Sequence, residues 1–288
     1  MSWLGFVLVG VLAYAGYYTL SRVFLKDKKS DAVIYAILFN IVCTLIVGAY
    51  ACTQGFELLD ISAYWLNILV MGVIYALAQV FIFQASKMTE ASEVIIISST
   101  RILWAIGAAI VFLDENFTLQ KSIGAALILV AVALVSYQKS SKKKKASKSV
   151  VAGRVYALLA GLCLGIGFVN DSYILKTADA PSYAALVFFV PTLMTLLIYR
   201  PSVSKFKKQL NATLLRNSAL LGMFYAIGIL ASYTAYQKGG DASQIVPIGQ
   251  SVVILTVLFS VVFLSERDHL ARKALGTTMV TLGVLLLI

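Results

Sequence analysis

The chain has 288 residues, of which 60% are apolar and only 13% are charged. A soluble domain carries about 45–50% apolar and about 25% charged residues, so this composition excludes an ordinary soluble enzyme. The mean hydropathy of +0.89 predicts a protein embedded in lipid instead. The net charge of +11 must then lie in the loops that leave the membrane.

Ten apolar runs of about 20 residues, the length that crosses a bilayer, are separated by charges, glycine, proline or polar clusters. They lack the alternating pattern of barrel strands. We therefore predict an all-α polytopic membrane protein with ten transmembrane helices. The predicted limits are 3–25, 32–52, 64–86, 92–113, 119–138, 152–175, 182–199, 217–237, 243–264 and 270–288.

Basic residues divide unevenly between alternate loops. Twenty of the 24 lysines and arginines fall on one set of loops, which we call the basic face, and three on the other. The positive-inside rule places the basic face in the cytoplasm and both termini outside, in a plasma membrane or a bacterial inner membrane. The first apolar run is followed, not preceded, by basic residues such as Arg22 and Lys26, which predicts an uncleaved anchor.

Residues 139–151 form a lysine-rich segment between two apolar runs. Such a segment can bind nucleic acid or lipid headgroups, but a solvated cytoplasmic linker explains it more simply. We predict no nucleic-acid partner; the expected partners are the lipid bilayer and a small-molecule solute.

Metal-binding residues are scarce. Cys43, Cys52 and Cys163 have no C-x-x-C spacing, and His269 is the single histidine. Zinc and haem sites need several ligands in a regular pattern. The sequence therefore predicts no metal ion, redox centre or cofactor.

The chain repeats itself at an offset of 150 or 151 residues. Gly-x-x-Tyr-Ala at 72–76 recurs at 222–226, and Val-Phe-Leu-x-Glu at 111–115 recurs at 262–266. Each half holds five predicted helices, and an odd number inserts the second copy upside down. We predict two inverted repeats, at 1–138 and 152–288, with a pseudo-two-fold axis in the membrane plane.

The repeated motifs resemble the EamA branch of the drug/metabolite transporter superfamily. In each half, Ala-Ser (91–92 and 242–243) opens an apolar helix that ends in Phe-Leu-x-Glu, and a glycine, Gly124 or Gly276, opens the next. The resemblance covers essentially the whole chain. It implies a ten-helix carrier of small metabolites, with helices one to four and six to nine around a central cavity and helices five and ten outside it.

The sequence departs from this family in two places. The family often has a proline in the fourth helix of each half; Pro247 fits, but residues 95–98 contain none. Small four-helix relatives couple protons through a glutamate in the first helix, and the first helix here has no acidic residue. That coupling mechanism cannot be transferred.

Arg101 is the strongest candidate for solute binding. It lies ten residues into the run 92–113, near the middle of the membrane, where ionisable groups are costly and usually functional. Asp171, beside Asn170, lies near the outer end of the sixth run and is a possible ion-pair partner. The alternatives are that Arg101 is a buried structural charge and that Asp171 lies in an outer vestibule.

Aromatic and amide side chains complete the candidate binding site. Tyrosines at bilayer depth offer apolar walls with polar tips, although many membrane tyrosines only pack. Trp104, one turn from Arg101, either stacks on a solute or faces lipid; Gln250 lies near Pro247, which either frees a carbonyl ligand or only kinks its helix. The candidate residues besides Arg101, Asn170 and Asp171 are Tyr17, Tyr75, Gln79, Trp104, Tyr225 and Gln250.

The predicted function is the transport of a small organic metabolite, such as an amino acid or a related solute, by alternating access. No residue is predicted to be catalytic, because no intramembrane protease, Walker or Ser/His motif is present. A passive facilitator or channel is the main alternative, ahead of an intramembrane enzyme or a lipid-linked sugar flippase. Coupling to protons or another ion, and a monomer or homodimer, are both compatible with the sequence. Glu115 and Glu266 are interpreted as structural ties between loops and helix ends.

Overall fold

The computed structural model describes residues 2–26, 31–57, 59–105, 107, 118–136, 148–175, 177–238, 248–249, 251–266 and 268–287. All regular secondary structure in these ranges is helical, which confirms the predicted all-α class. The helices are α1 (Trp3–Leu25), α2 (Ala32–Gln54), α3 (Ile61–Met88), α4 (Ala91–Ser98), α5 (Leu119–Ser136), α6 (Lys148–Ile174), α7 (Ala180–Tyr199), α8 (Val203–Gln209), α9 (Ala212–Gln237), α10 (Ser251–Phe263) and α11 (Leu270–Leu287).

Six described helices are long and apolar enough to cross a membrane, so the chain is a polytopic membrane protein. They are α1, α2, α3 and α7, with Lys148–Asp171 of α6 and Ala212–Ser232 of α9. Shorter apolar stretches lie in α5 and α10. The predicted spans at 92–113 and 243–264, and the linker at 139–151, fall partly outside the described residues.

Aspartates begin several of these helices. Asp31 accepts hydrogen bonds from the amides of Val33 and Ile34, and Asp60 caps α3 in the same way. Asp179 accepts from the amide of Ser182, in a first turn that contains Pro181. These contacts satisfy amides that have no partner within the helix, so local sequence sets these starting points.

Helices of the first half (α1–α5) pack on helices of the second half (α6–α11). The main pairs are α1 with α9, α2 with α7, α3 with α6 and α5 with α11. The last pair packs closely: a Cβ atom on Gly283 would lie 2.7 Å from the carbonyl oxygen of Gly124. Small residues permit such close helix approach in lipid.

The fourth span is interrupted where a continuous helix was expected. α4 ends at Ser98, residues 99–100 form a turn, and helix resumes at Arg101. Here Ser99 donates to the carbonyl of Ile95 (2.8 Å) through its hydroxyl. Serine and threonine hydroxyls that bond to nearby carbonyls compete with helical geometry and often bend a helix. The break lies directly before Arg101.

Candidate functional site

A central cavity of about 510 Å³ lies between the two halves of the chain. Side chains from α1, α2, α3, α6, α7 and α9 line it, together with the helical segment after α4 and residues at the start of α10. Six of the nine predicted site residues are in its wall: Tyr17, Tyr75, Gln79, Arg101, Asp171 and Tyr225. The structure therefore brings together residues that are up to about 200 positions apart in the sequence.

The cavity is displaced towards the face opposite the basic residues. On α1 its lining runs from Val7 to Tyr18 and stops before Arg22. On α6, which starts at the basic face, the lining runs from Leu164 towards the far end, at Leu175. The cavity therefore extends from the middle of the bundle away from the basic face.

Arg101 reaches the cavity from the helical segment that follows the break in the fourth span. Arg101 is half-buried. Its side chain forms no hydrogen bond or ion pair with another residue in the described part of the chain. A guanidinium carries five donors and stays charged at any accessible pH. The geometry thus presents a positive charge with unpaired hydrogen-bond donors at the cavity wall.

Gly161 and Gly165 of α6 allow the segment around Arg101 to approach closely. A Cβ atom on Gly161 would lie 2.5 Å from Thr100 Oγ1, and one on Gly165 would lie 2.4 Å from the carbonyl oxygen of Arg101. The Gly-x-x-x-Gly spacing is therefore a packing motif that supports the candidate site from behind.

Replacing Gly165 by alanine should destabilise the protein by about 1–3 kcal/mol, because the new methyl group meets backbone atoms that must move. We expect a lower thermal midpoint of the purified protein and weaker solute binding. Gly107→Ala is the matched control, since a Cβ atom there meets nothing within 4 Å. Equal thermal midpoints for the two variants would contradict the packing role of Gly165.

Asp171 is bound by two tyrosine hydroxyls. Tyr75 donates to Oδ2 at 2.5 Å and Tyr183 donates to Oδ1 at 2.7 Å. Both carboxylate oxygens are thus engaged, and the ion pair with Arg101 that the sequence suggested is not formed. Tyr183 is only 1% exposed and was missed in the sequence. The sequence signal for it is a tyrosine in the first turn of α7, the helix that follows α6, which carries Asp171.

Tyr17 and Gln79 bind each other across α1 and α3. Gln79 Nε2 donates to the hydroxyl oxygen of Tyr17 at 2.8 Å. The ring of Tyr17 meets that of Tyr225 edge to face, with centroids 4.9 Å apart, and Tyr14 meets Tyr225 at 5.2 Å. These edge-to-face contacts join tyrosines from the two halves of the chain into an aromatic wall of the cavity.

The other three predicted site residues are not among the described cavity lining. Asn170 exchanges hydrogen bonds with Asn67 (2.8 and 3.2 Å), which ties α6 to α3. Trp104 is 41% exposed, and its Cβ atom lies over Gly165. Gln250 lies outside the described residues.

Charged residues join the two halves at the basic face. Arg22 Nε lies 3.2 Å from Glu266 Oε1, and the Lys273 ammonium pairs with the Glu90 carboxylate and the main-chain oxygen of Glu266. Glu266 Oε2 also accepts from the amide of Ala91 at 3.1 Å, which agrees with its interpretation as a tie between a loop and a helix end. We call Arg22, Glu90, Glu266 and Lys273 the ion cluster.

Burial of the ion cluster shifts the pKa of one of its members, Glu266. Loss of hydration, together with the nearby negative charge of Glu90, raises the pKa of Glu266 to about 7, although Arg22 and Lys273 oppose this. A second pair, Arg154 with Glu93 (2.7 and 2.9 Å), lies close by and also joins the halves. Sequence analysis interpreted Glu266 as a structural tie but paired none of these residues.

Comparison with known proteins agrees with the architecture. The model of the EamA-like transporter family matches residues 1–137 and, separately, residues 151–288. A crystal structure of another protein superposes with a TM-score of 0.60 at 14% sequence identity, covering 98% of this chain and 96% of that one. At this identity the likeness shows a shared fold. A search of the curated proteins finds no match.

Proposed function

Because the chain belongs to the EamA-like transporter family, we propose that it carries a small organic solute, such as an amino acid or a related compound, through its central cavity. The observation that supports this most directly is the cavity itself. Its described wall combines aromatic side chains with one cation and one carboxylate, as expected of a pocket that orients a polar organic molecule. It also lies between the two halves of the chain.

The architecture that fits this role is ten transmembrane helices in two inverted repeats, 1–138 and 152–288. Helix contacts support it. The inverted repeat makes α1 equivalent to α6, α2 to α7, α3 to α9 and α4 to α10. The contact of α1 with α9 should then have a counterpart in a contact of α6 with α3, and it does. In the same way, the contact of α2 with α9 corresponds to that of α7 with α3, and the contact of α1 with α10 corresponds to that of α6 with α4. All these contacts are present.

Alternating access requires that one face be closed while the other is open. The cavity extends away from the basic face, and the ion cluster and the pair Arg154–Glu93 join the halves there. We infer that these contacts close the basic face in this conformation and separate when the carrier opens towards it. Solute binds in the cavity between Arg101 and the lining tyrosines Tyr17, Tyr75 and Tyr225.

Reconstitution tests the proposal. The purified protein in liposomes should take up at least one member of a panel of amino acids, nucleobases, organic anions and organic cations, whereas protein-free liposomes should not. A carrier exchanges solute, so solute inside the vesicles should accelerate uptake. Uptake without such acceleration would favour the passive facilitator, and the absence of any uptake across the panel would contradict transport.

Orientation can be tested with terminal reporters. We expect both termini outside, because 20 basic residues lie on one set of loops and three on the other. A reporter that is active only in the periplasm or exterior should work at the C terminus, and one active only in the cytoplasm should work when inserted near Lys145. The reverse pattern would contradict the proposed orientation.

Closure of the basic face should depend on pH through Glu266. Its pKa is about 7 in the closed conformation, and hydration on opening should return the pKa towards the ordinary value of about 4.3. The closed conformation therefore binds a proton more tightly, so it is favoured at low pH and weakened as pH rises through 7.

Thiol labelling from the basic face measures this opening. Ser86→Cys, in a protein without its native cysteines, places a reporter at a buried position beside Arg22. We expect labelling to increase more steeply between pH 5.5 and pH 8 than in a Glu266→Gln background, which controls for titration of the thiol itself. Identical pH profiles in the two backgrounds would exclude Glu266 as the titrating group.

A further inference from the structure

Several polar groups of the described cavity wall are already hydrogen-bonded within the protein. Gln79 donates to Tyr17, Tyr75 donates to Asp171, and the hydroxyl of Ser232 donates to the carbonyl oxygen of Gly228. Groups paired in this way have little need of a solute. The groups without such partners indicate which chemistry the cavity can still bind.

Asn40 is one of these groups. It lies on α2, lines the cavity and is only 3% exposed. Its side-chain nitrogen has no hydrogen-bond partner among the described residues. A buried amide donor without a partner destabilises a protein, so such groups are rare in structures and call for an explanation.

Arg101 is the second group of this kind, as shown above. Arg101 and Asn40 both line the cavity, and both carry nitrogen donors without a partner among the described residues. Asp171, which would attract a cation, already accepts two tyrosine hydroxyls. Arg101 and Asn40 are therefore the unpartnered nitrogen donors of the described cavity wall, and both need acceptor oxygens.

We propose that Asn40 and Arg101 form a two-point site for an oxygen-rich organic anion. Arg101 binds the carboxylate, and Asn40 donates to an uncharged acceptor oxygen such as a hydroxyl or a carbonyl. The site rests on the proposed carrier function and narrows its substrate class, since it favours hydroxy- and oxo-carboxylates over organic cations. Asn40 is thereby a specificity-determining residue.

Asn217 is the matched control for Asn40. It is also a buried asparagine, but it is not among the residues that line the cavity. Its side-chain nitrogen donates to the hydroxyl of Tyr35 at 3.3 Å, while its side-chain oxygen has no described partner. Leucine has a similar volume to asparagine and no polar atoms. Replacing an unpaired polar group by an apolar group of like shape should be nearly neutral, whereas removing one partner of a buried hydrogen bond should destabilise.

The first experiment measures thermal midpoints of the purified protein. Without solute, Asn40→Leu should match or exceed the wild type, and Asn217→Leu should fall below it. Lactate, malate and 2-oxoglutarate are the anionic probes, and choline is the cationic one. At least one anionic probe should raise the midpoint of the wild type and of Asn217→Leu, and raise that of Asn40→Leu less. Stabilisation by choline alone, by none of the probes, or equally in Asn40→Leu would overturn the proposal.

The second experiment separates this site from the carrier function. In liposomes, Asn40→Leu should weaken the apparent affinity for the stabilising anion by about 5- to 10-fold, the effect of one lost hydrogen bond. Unchanged affinity would overturn the role of Asn40 while the carrier stands. Stabilisation by the anion without any transport would retain the site and contradict the carrier function instead.

Discussion

Replacing Arg101 by glutamine is expected to abolish solute transport, or to weaken apparent affinity by about 10- to 100-fold, while the folded yield stays close to that of the wild type. A hydrogen bond to a charged partner is worth about 1.5–3 kcal/mol, which sets this range. No bond from Arg101 to another described residue is lost. A central arginine costs about 2.5–3.5 kcal/mol on insertion scales, so removing it should not lower stability.

The transport rate of the Arg101→Gln protein must be divided by the amount of folded protein. Arg154→Gln is the matched control, because that arginine is bound to Glu93 by two short contacts. The control should lose yield and thermal stability together. If Arg101→Gln behaves like Arg154→Gln, the charge at 101 is structural. If it transports with unchanged rate and affinity, Arg101 does not bind the solute.

Replacing Arg22 by glutamine should open the basic face. The side chains of Arg22 and Glu266 are 14% and 9% exposed, so the substitution removes a largely buried charged contact between the two halves. Arg22 also donates a hydrogen bond to the carbonyl oxygen of Ser86 at 3.0 Å. We expect faster labelling of the Ser86→Cys reporter from the basic face and a lower thermal midpoint.

The pair Lys205–Asp31 supplies the control for Arg22. It also bridges the halves at the basic face, but the Lys205 side chain is 57% exposed, and exposed pairs contribute about 0–1 kcal/mol. Lys205→Gln should therefore leave both labelling and the thermal midpoint almost unchanged. Equal effects of the two substitutions would mean that the ion cluster does not hold the face closed.

Arg101 and the aromatic wall could be predicted without a structure, for different reasons. A charge near the middle of an apolar run is visible in one dimension, since lipid makes it costly wherever the helix packs. Tyr75 and Tyr225 stand at equivalent places in the two repeats, and both line the cavity. Position within a span thus locates residues by depth.

The depth of a residue does not show which side of its helix it occupies. Trp104 and Arg101 lie at similar depth, yet Trp104 is 41% exposed whereas Arg101 reaches the cavity. Asn170 and Asp171 are neighbours, yet one binds Asn67 and the other binds two tyrosines. Uniformly apolar helices have no marked polar face in sequence, so nothing local indicates which side meets the cavity.

The sequence by itself determined the environment, the helical class, the repeated halves and several helix starts, because these follow from hydropathy, repeated motifs and local caps such as Asp31 and Asp179. Tertiary structure alone decided the partners: Tyr183 on Asp171, the unpaired amide of Asn40, and the contact of Arg22 with Glu266, 244 positions apart. Such contacts depend on how helices rotate and cross, which is set by close packing of small residues against neighbouring backbones. The break before Arg101 combines both origins. The hydroxyls of residues 98–100 bond to nearby carbonyls, and Gly161 and Gly165 of α6 pack on the same segment.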